Sequence, residues 1–376
     1  MSKNSAGASG ALFGGRGVDI SYLGNPLVSW ENVVKQNYAI DFGFLKQFTG
    51  KVDIFFEDCN NRLVMPASTP AASGISSSSI PRQNIGVVTN HGYEIELNWG
   101  KEYSKKFRMS AGGQFSYARS KVIYVDEVLL DESYAYRKRT EGFMPGQNWG
   151  LAIDYSNKDQ FPNAAGYINT QEELDRCKEM YDIGTPRMGD FIYKDANGDG
   201  HIDDRDLVPI KSSSVPTMSF GFNISCQYRR IGISCQFNGM GDVSAYRMGL
   251  GVSELENAGT YTDYHLRAWS RERVANGEKV EYPALSTYGN VSLRQNDFFI
   301  NNRSYLRLKN LQVSYSIPPN KLFRTLGVAS GNIIAYGNNV FIIDNQRVKA
   351  VDAETSGQSI SYPLNRTYSL ALNIKF

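Results

Sequence analysis

One stretch of the sequence has residue types and spacing that could hold a metal ion, Asp195-Ala-Asn-Gly-Asp-Gly-His-Ile-Asp-Asp-Arg-Asp206. Laid on the calcium loop of an EF-hand, Asp195, Asn197 and Asp199 take the first, third and fifth ligand positions. Gly200 then stands at the sharp turn, His201 offers its backbone carbonyl, and Asp206 takes the closing position. Hard oxygen donors at this alternation suit calcium, because the turn brings every second side chain inward. An aspartate at the closing position is shorter than the usual glutamate, so bidentate closure is weaker. The flanks lack the two helices of an EF-hand, which argues against a calcium-sensing switch. An Asx-rich turn can also be completed by its own side chains accepting backbone N–H groups. Calcium at Asp195, Asn197, Asp199, His201 (by backbone) and Asp206, and a self-capped turn, are the two readings.

No other constellation points to a reaction, so no enzyme is expected and no cofactor is required. The four cysteines, Cys59, Cys177, Cys226 and Cys235, have no CxxC spacing, and the three histidines are scattered. No nucleophile elbow or phosphate loop is present. Trp269 with Tyr264 and His265 could stack on a sugar, although aromatic packing within a long loop accounts for them more simply. Gln171–Met180 reads as a short surface helix with a solvated charged face. The runs Ala67–Ser79 and Asn257–Thr262 read as mobile loop. Forty Lys and Arg against 38 Asp and Glu give a net charge of +2, which argues against a nucleic-acid binder.

The elements that must carry these residues are strands. Tyr368, Leu370, Leu372, Ile374 and Phe376 alternate with Ser369, Ala371, Asn373 and Lys375, so one face is apolar and the other largely polar. The same period of two runs through Met218–Tyr228 and, after Arg229-Arg230, through Ile231–Phe237. It recurs in Tyr38–Phe44, Val52–Phe56, Tyr93–Trp99, Phe107–Tyr117 and Leu311–Ile317, and more weakly in Ile333–Ile343, which makes nine strands. Links near Lys46–Phe48, Gly100–Lys105, Arg229–Arg230 and Pro318–Gly331 are short, and those near 60–84, 126–215, 243–303 and 344–366 are long. Short and long alternate strictly, as an outer-membrane barrel with tight periplasmic turns and long extracellular loops requires. A soluble β-sandwich has no reason to sort its loops by parity. The 23 Tyr, 19 Phe and 35 Gly suit strands with rings at a membrane boundary and tight turns.

Charges fall where a barrel interior would take them. Asp41, Lys51, Asp53, Glu94 and Glu96 all lie on the polar face of their strands. The longest apolar runs are well short of a membrane-spanning helix. Met1–Gly15 has no apolar segment of the secretory kind, so Met1 reads as the start of a fragment.

Several stretches, in order, resemble the C-terminal half of the SusC/RagA transporters. They are Val28-Ser-Trp-Glu31 with Asn37 and Asp41-Phe-Gly43, Gly50–Phe56, and Asn90-His-Gly-Tyr-Glu94. Gly189-Asp190 leading into Lys194–Gly200 follows, with Val208-Pro209 downstream, then Ser304–Asn310 and Val313–Pro318. Asn338-Asn-Val-Phe341, Asp352-Ala-Glu354 and Tyr362-Pro363 complete the set, with Ala353 standing where the family usually has proline. Each motif is weak alone, and the ordered set is specific. The resemblance implies an all-β fold, part of a transmembrane antiparallel barrel of about 22 strands. On this reading 1–30 is extracellular loop or fragment start, and 31–376 supplies the C-terminal barrel strands. It also implies a signal peptide, a TonB-contacting segment and a plug elsewhere in the full protein. The function it implies is TonB-dependent import of oligosaccharides or peptides through the outer membrane of a Gram-negative bacterium. A SusD-like surface lipoprotein and the TonB complex would be the partners. The alternatives are a TonB-dependent siderophore or cobalamin receptor, a secreted calcium-binding carbohydrate-binding or adhesin domain, and a truncated remnant.

Overall fold

The computed structural model describes residues 24–376 apart from 68–78, 129, 137–138, 250–251, 254–260, 288–290, 319–322, 324, 326, 348–350, 358–361 and 363. Nearly all of the run Ala67–Ser79, and most of Asn257–Thr262, lie outside the described residues. Nine long strands form one sheet: β1 (Asn32–Phe44), β2 (Phe48–Val64), β3 (Gln83–Ser104), β4 (Phe107–Tyr124), β5 (Met218–Tyr228), β6 (Ile231–Gly241), β7 (Tyr305–Ile317), β8 (Ser330–Asp344) and β9 (Thr367–Lys375). Each strand pairs antiparallel with its neighbours in chain order, an up-and-down meander without crossovers. No described helix is long and apolar enough to cross a membrane.

Several strands run further than their alternation indicates. The short link near Gly100–Lys105 contracts to Lys105-Lys106, because β3 stays paired to Ser104, opposite Phe107. In that last stretch Lys101, opposite Met109, carries the ladder while interrupting the apolar row. At the opposite end β2 and β3 continue pairing to Val64 and Gln83, past register shifts at Cys59/Arg62. Pattern thus underestimates a strand wherever its outer turns leave the apolar zone.

The register separates the faces cleanly. Residues directly opposite in a ladder share a face, so Ala39–Asp53–Glu94–Ser116–Ser219 form one row across five strands, and Asp41–Lys51–Glu96–Gln114–Gly221 another. On the other face Tyr38–Ile54–Tyr93–Tyr117 and Ile40–Val52–Ile95–Phe115 make equivalent apolar rows. This apolar face lies bare: Ile40 is 69% exposed, Tyr38 63% and Leu370 77%. A contiguous apolar surface of this extent marks contact with lipid or a partner rather than water. At about 3.3 Å per residue the run from Phe48 to Phe56 climbs about 26 Å along β2. A strand tilt near 40° reduces this to about 20 Å of wall height, comparable with the lipid-facing band of an outer-membrane barrel.

Strand β7 shows what the alternation must protect. Counting back by twos from Leu311 would place Lys309, Arg307 and Tyr305 on the apolar face. A register shift between Leu308 and Asn310, against both β6 and β8, reverses the parity there. Leu308 thereby pairs with Phe237 and Phe341, and Arg307 moves to the polar side. An extra residue in one strand is what a β-bulge supplies. The strand gives up one regular step and keeps a guanidinium out of the apolar band.

The packed core lies outside the sheet. The described residues of links 125–217, 242–304 and 345–366 fold together at the long-loop end around Leu151, Ile153, Phe191, Tyr282, Phe299 and Val351. Two short ladders stitch this cap, Trp149–Gly150 with Val208–Pro209 and Ser244–Tyr246 with Ile300–Asn302. Helix α1 (Gln171–Met180) starts at Thr170, whose side chain accepts the Glu173 N–H while the Glu173 carboxylate accepts the Thr170 N–H. Such a capping box stabilises a helix start by about 1 kcal/mol. Leu174 and Cys177 are its buried residues, and Glu172, Asp175, Arg176, Lys178 and Glu179 face water. Asn296, fully buried, donates to Tyr193 and to the Ser292 carbonyl and accepts from the N–H groups of Phe298 and Phe299.

Candidate functional site

Three features carry polar chemistry: the polar sheet face, a strap held by arginines, and the acidic loop. On the sheet face Lys51, Asp53, Glu94, Glu96, Gln114 and Ser116 line a shallow recess. Asp53 is 7% exposed, pairs with Lys51 at 3.0 Å and accepts from Asn37 at 3.2 Å. Glu94 accepts from Ser116 at 3.1 Å, and Glu96 from Asn98 at 2.7 Å. The five charged residues read from the sequence therefore share one face of neighbouring strands, with acids in excess. The row can bind polar solutes or oppositely charged groups.

The strap is the segment Val351–Gly357. Arg307, with a side chain 3% exposed, meets Asp352 at 2.6 Å and Glu354 at 3.3 Å. Lys309 adds a contact to Glu354 at 3.4 Å. Arg303 donates to the carbonyls of Ala353 and Glu354. Arg247, fully buried, donates to the carbonyls of Gly357, Asp352 and Thr355 and to the Gln346 side chain. Burial and the neighbouring Arg303 lower the Arg247 pKa to about 10, opposed by Asp352. Three arginines thus converge on one segment that joins β8 to β9. Nothing in the local sequence around Arg247 or Gln346 marks this role. The legible signals are Arg307 and Lys309 breaking an otherwise regular strand and the motifs Ser304–Asn310 and Asp352-Ala-Glu354 of the resemblance.

In the acidic loop each candidate side-chain oxygen faces an N–H donor. Asp195 accepts from the backbone of Gly198 and Gly200, Asn197 from Asp199, and Asp199 from His201. Asp206, 1% exposed, accepts from Ala196, Asn197 and Asp203. The Arg205 guanidinium lies 3.1 Å from Asp199 and 2.7 Å from Asp203, placing a positive charge among the carboxylates. His201 contacts Asp182 through Nδ1 at 3.1 Å. Burial raises the Asp206 pKa, with its backbone donors opposing, and the His201 N–H holds that of Asp199 below the ordinary carboxylate value. Among the described residues no three His, Cys, Asp or Glu side chains converge as metal ligands. The N–H donors and the adjacent Arg205 guanidinium complete this loop without a metal, as in a self-capped Asx turn.

The aromatic residues weighed for sugar stacking are packed inward. Tyr264 and His265 lie edge-on to Tyr282 at 5.2 and 4.7 Å between ring centres. Trp269 donates its indole N–H to Asn169 at 2.8 Å.

The comparisons with known proteins agree with this architecture. No family model matches the chain. It is 25% identical over 392 residues to TonB-dependent receptor P39 of Formosa agariphila, covering 94% of this chain and 36% of that protein. It is 24% identical over 358 residues to the TonB-dependent receptor SusC of Bacteroides thetaiotaomicron, covering 94% of this chain and 32% of that one. Among solved structures, the RagAB peptide transporter superposes with a TM-score of 0.69 at 20% identity, over 96% of this chain and 37% of the matched chain. The chain is similar over nearly its whole length to TonB-dependent receptors, SusC among them. It spans about a third of the length of these relatives, 36% of the first. Its nine-stranded sheet has the fold of part of the matched transporter chain.

The SusC/RagA-like motif Gly189-Asp190 has a physical basis here. Gly189 has φ +82°, and a Cβ built on it would stand 2.4 Å from the Trp269 ring and 2.7 Å from Ala284. Asp190 accepts from the Ser292 hydroxyl at 2.9 Å and the Arg187 N–H at 2.8 Å. Gly189→Ala is expected to destabilise the cap by about 1–3 kcal/mol through strain and overpacking. Limited proteolysis of links 125–217 and 242–304 measures it, and unchanged cleavage rates would refute the packing argument.

Proposed function

We propose that the protein works in a TonB-dependent importer of the outer membrane of a Gram-negative bacterium, taking up oligosaccharides or peptides with a SusD-like surface lipoprotein. The observation that carries the reading is similarity to SusC over 94% of the chain, lying on a sheet with a bare apolar face. The long-loop end then faces outward and the short turns face the periplasm. The protein's part is to bind and pass solute along the polar wall, with no bond made or broken. Specificity then belongs to loop surfaces and to groups opposite the polar rows. Deleting the gene and growing the cells on single oligosaccharides or peptide mixtures tests this. Loss of growth on one class, with an unrelated carbon source unaffected, is expected, as is co-purification of a lipoprotein. Unchanged growth on every class, with no lipoprotein partner, refutes it.

For the loop Asp195–Asp206 we propose a structural role as a self-capped turn neutralised by Arg205. Calcium in the range of extracellular modules, about millimolar, should leave the unfolding midpoint of the protein unchanged. A stabilisation that grows with calcium and is abolished by Asp195→Asn would establish the metal site instead.

A further inference from the structure

The short-turn end of the sheet carries a patch of one sign. Lys46, Lys105, Lys106, Arg229 and Arg230 occupy its turns, and Lys375 ends β9. All six are exposed, and none is ion-paired among the described residues. The nearest acidic side chain along the chain is Glu102, set opposite Arg108 in the ladder. Beyond the polar face the long-loop end differs, with charges of both signs paired, as in Lys35–Glu57 at 2.8 Å and Arg205–Asp199 at 3.1 Å.

A band of rings underlies this patch on the apolar face. Phe44 stacks on Phe48 at 4.7 Å, Phe48 approaches Trp99 at 6.4 Å, Tyr103 stacks on Phe107 at 5.3 Å, and Phe107 meets Tyr228 at 6.3 Å. Aromatic belts of this kind sit at the level of lipid headgroups. Two cations lie on the belt itself. The Lys101 ammonium stands 5.0 Å over the Tyr103 ring, and the Arg229 guanidinium 5.4 Å over Tyr228. A ring at the interface with a cation on its watery side is where a lipid phosphate would lie.

We propose that the short-turn end of this wall binds the phosphates of anionic glycerophospholipids, with Lys101 and Arg229 fixed at headgroup depth by Tyr103 and Tyr228. The inference rests on the sheet spanning a membrane, as proposed above, and adds a preference among its lipids. Cations clustered near an anionic leaflet attract it in a salt-dependent way. Neutral headgroups offer the same phosphate without net charge, so selectivity is the distinguishing property.

The test uses the protein as it occurs, extracted from its own membranes and placed in nanodiscs of phosphatidylcholine with a minor fraction of phosphatidylglycerol. Native mass spectrometry then reads the lipids it retains. Phosphatidylglycerol enriched several-fold over its bulk fraction, with enrichment falling as salt rises, is expected. The Lys101→Gln, Arg229→Gln double variant should bring the ratio close to bulk, and Lys101→Arg with Arg229→Lys should preserve it. Retained lipid at the bulk ratio overturns the proposal while leaving the membrane reading intact. A protein that retains no lipid and stays in solution refutes that reading instead. Enrichment unchanged in the Gln variant, or abolished by equimolar inorganic phosphate, overturns the assignment to this belt. Co-purification of an acidic protein, lost in the Gln variant while lipids stay at bulk ratio, would make the patch a protein contact and overturn the lipid proposal.

Discussion

Arg307→Met should lower the stability of the folded protein by about 3–5 kcal/mol, the cost of leaving a buried charge without its partner. The side chain of Asp352 is 14% exposed and that of Glu354 31%, so Asp352 would suffer most. Lys309 remains beside Glu354, which places the expected loss toward the lower end. The midpoint of urea unfolding measures the loss, followed by the mobility difference between folded and unfolded forms on a gel. Asp352→Asn in the Arg307→Met background should recover part of it, because removing both members of a pair costs less than removing one. A coupling between the two positions below about 0.5 kcal/mol, the scatter of independent sites, would mean the strap is not held by this pair. The same argument predicts that Arg307→Met raises protease cleavage within 345–366 before it affects the sheet.

The second large effect concerns the apolar face. Ile224 lies within β5, pairs with Ala111 and Cys235, and is 43% exposed. If that exposure is to lipid, Ile224→Arg should cost about 2–4 kcal/mol near the bilayer midplane. Ser225, one residue along, pairs with Ser110 and Ser234 on the polar face. Ser225→Arg should change stability by no more than about 0.5 kcal/mol, as surface substitutions usually do. A soluble sheet predicts otherwise, since replacing an exposed isoleucine by arginine there is harmless. Equal effects at 224 and 225 would contradict the assignment of faces.

Much of this architecture was legible because a membrane wall imposes one rule on every strand. Ile224 and Ser225, or Tyr368 and Ser369, betray their faces by type alone, and the parity of short and long links orders the meander. The charges Asp41, Lys51, Asp53, Glu94 and Glu96 fell on one face for the same reason. The strap showed in the sequence only as the motifs Ser304–Asn310 and Asp352-Ala-Glu354; their pairing did not, because its chemistry is tertiary. Arg247 contacts residues near 346 and 352–357, and nothing in their local sequence announces a pairing across about a hundred positions. The bulge in β7 was half legible, since Arg307 and Lys309 break the alternation without saying how the chain would respond. The cap was hidden too. Its core residues Ile153, Phe191, Tyr282 and Phe299 come from links that lack periodicity, and they bury one another only after the sheet has gathered those links. In the acidic loop the spacing of Asp195, Asn197 and Asp199 is shared by calcium loops and by Asx turns, so spacing alone does not choose between them.

The most direct test of the central claim, that this sheet is a membrane wall with its apolar rows in lipid, is a nitroxide scan along β5. Single cysteines from Met218 to Tyr228 would be labelled in a background in which Cys59, Cys177, Cys226 and Cys235 are replaced. Collision rates with oxygen and with a water-soluble nickel chelate would then be measured on the protein in bilayers. Oxygen accessibility peaking at Phe220, Phe222, Ile224 and Cys226, with nickel accessibility peaking at the residues between, is the predicted result. Nickel reaching both sets equally, or a profile without period two, would contradict the account.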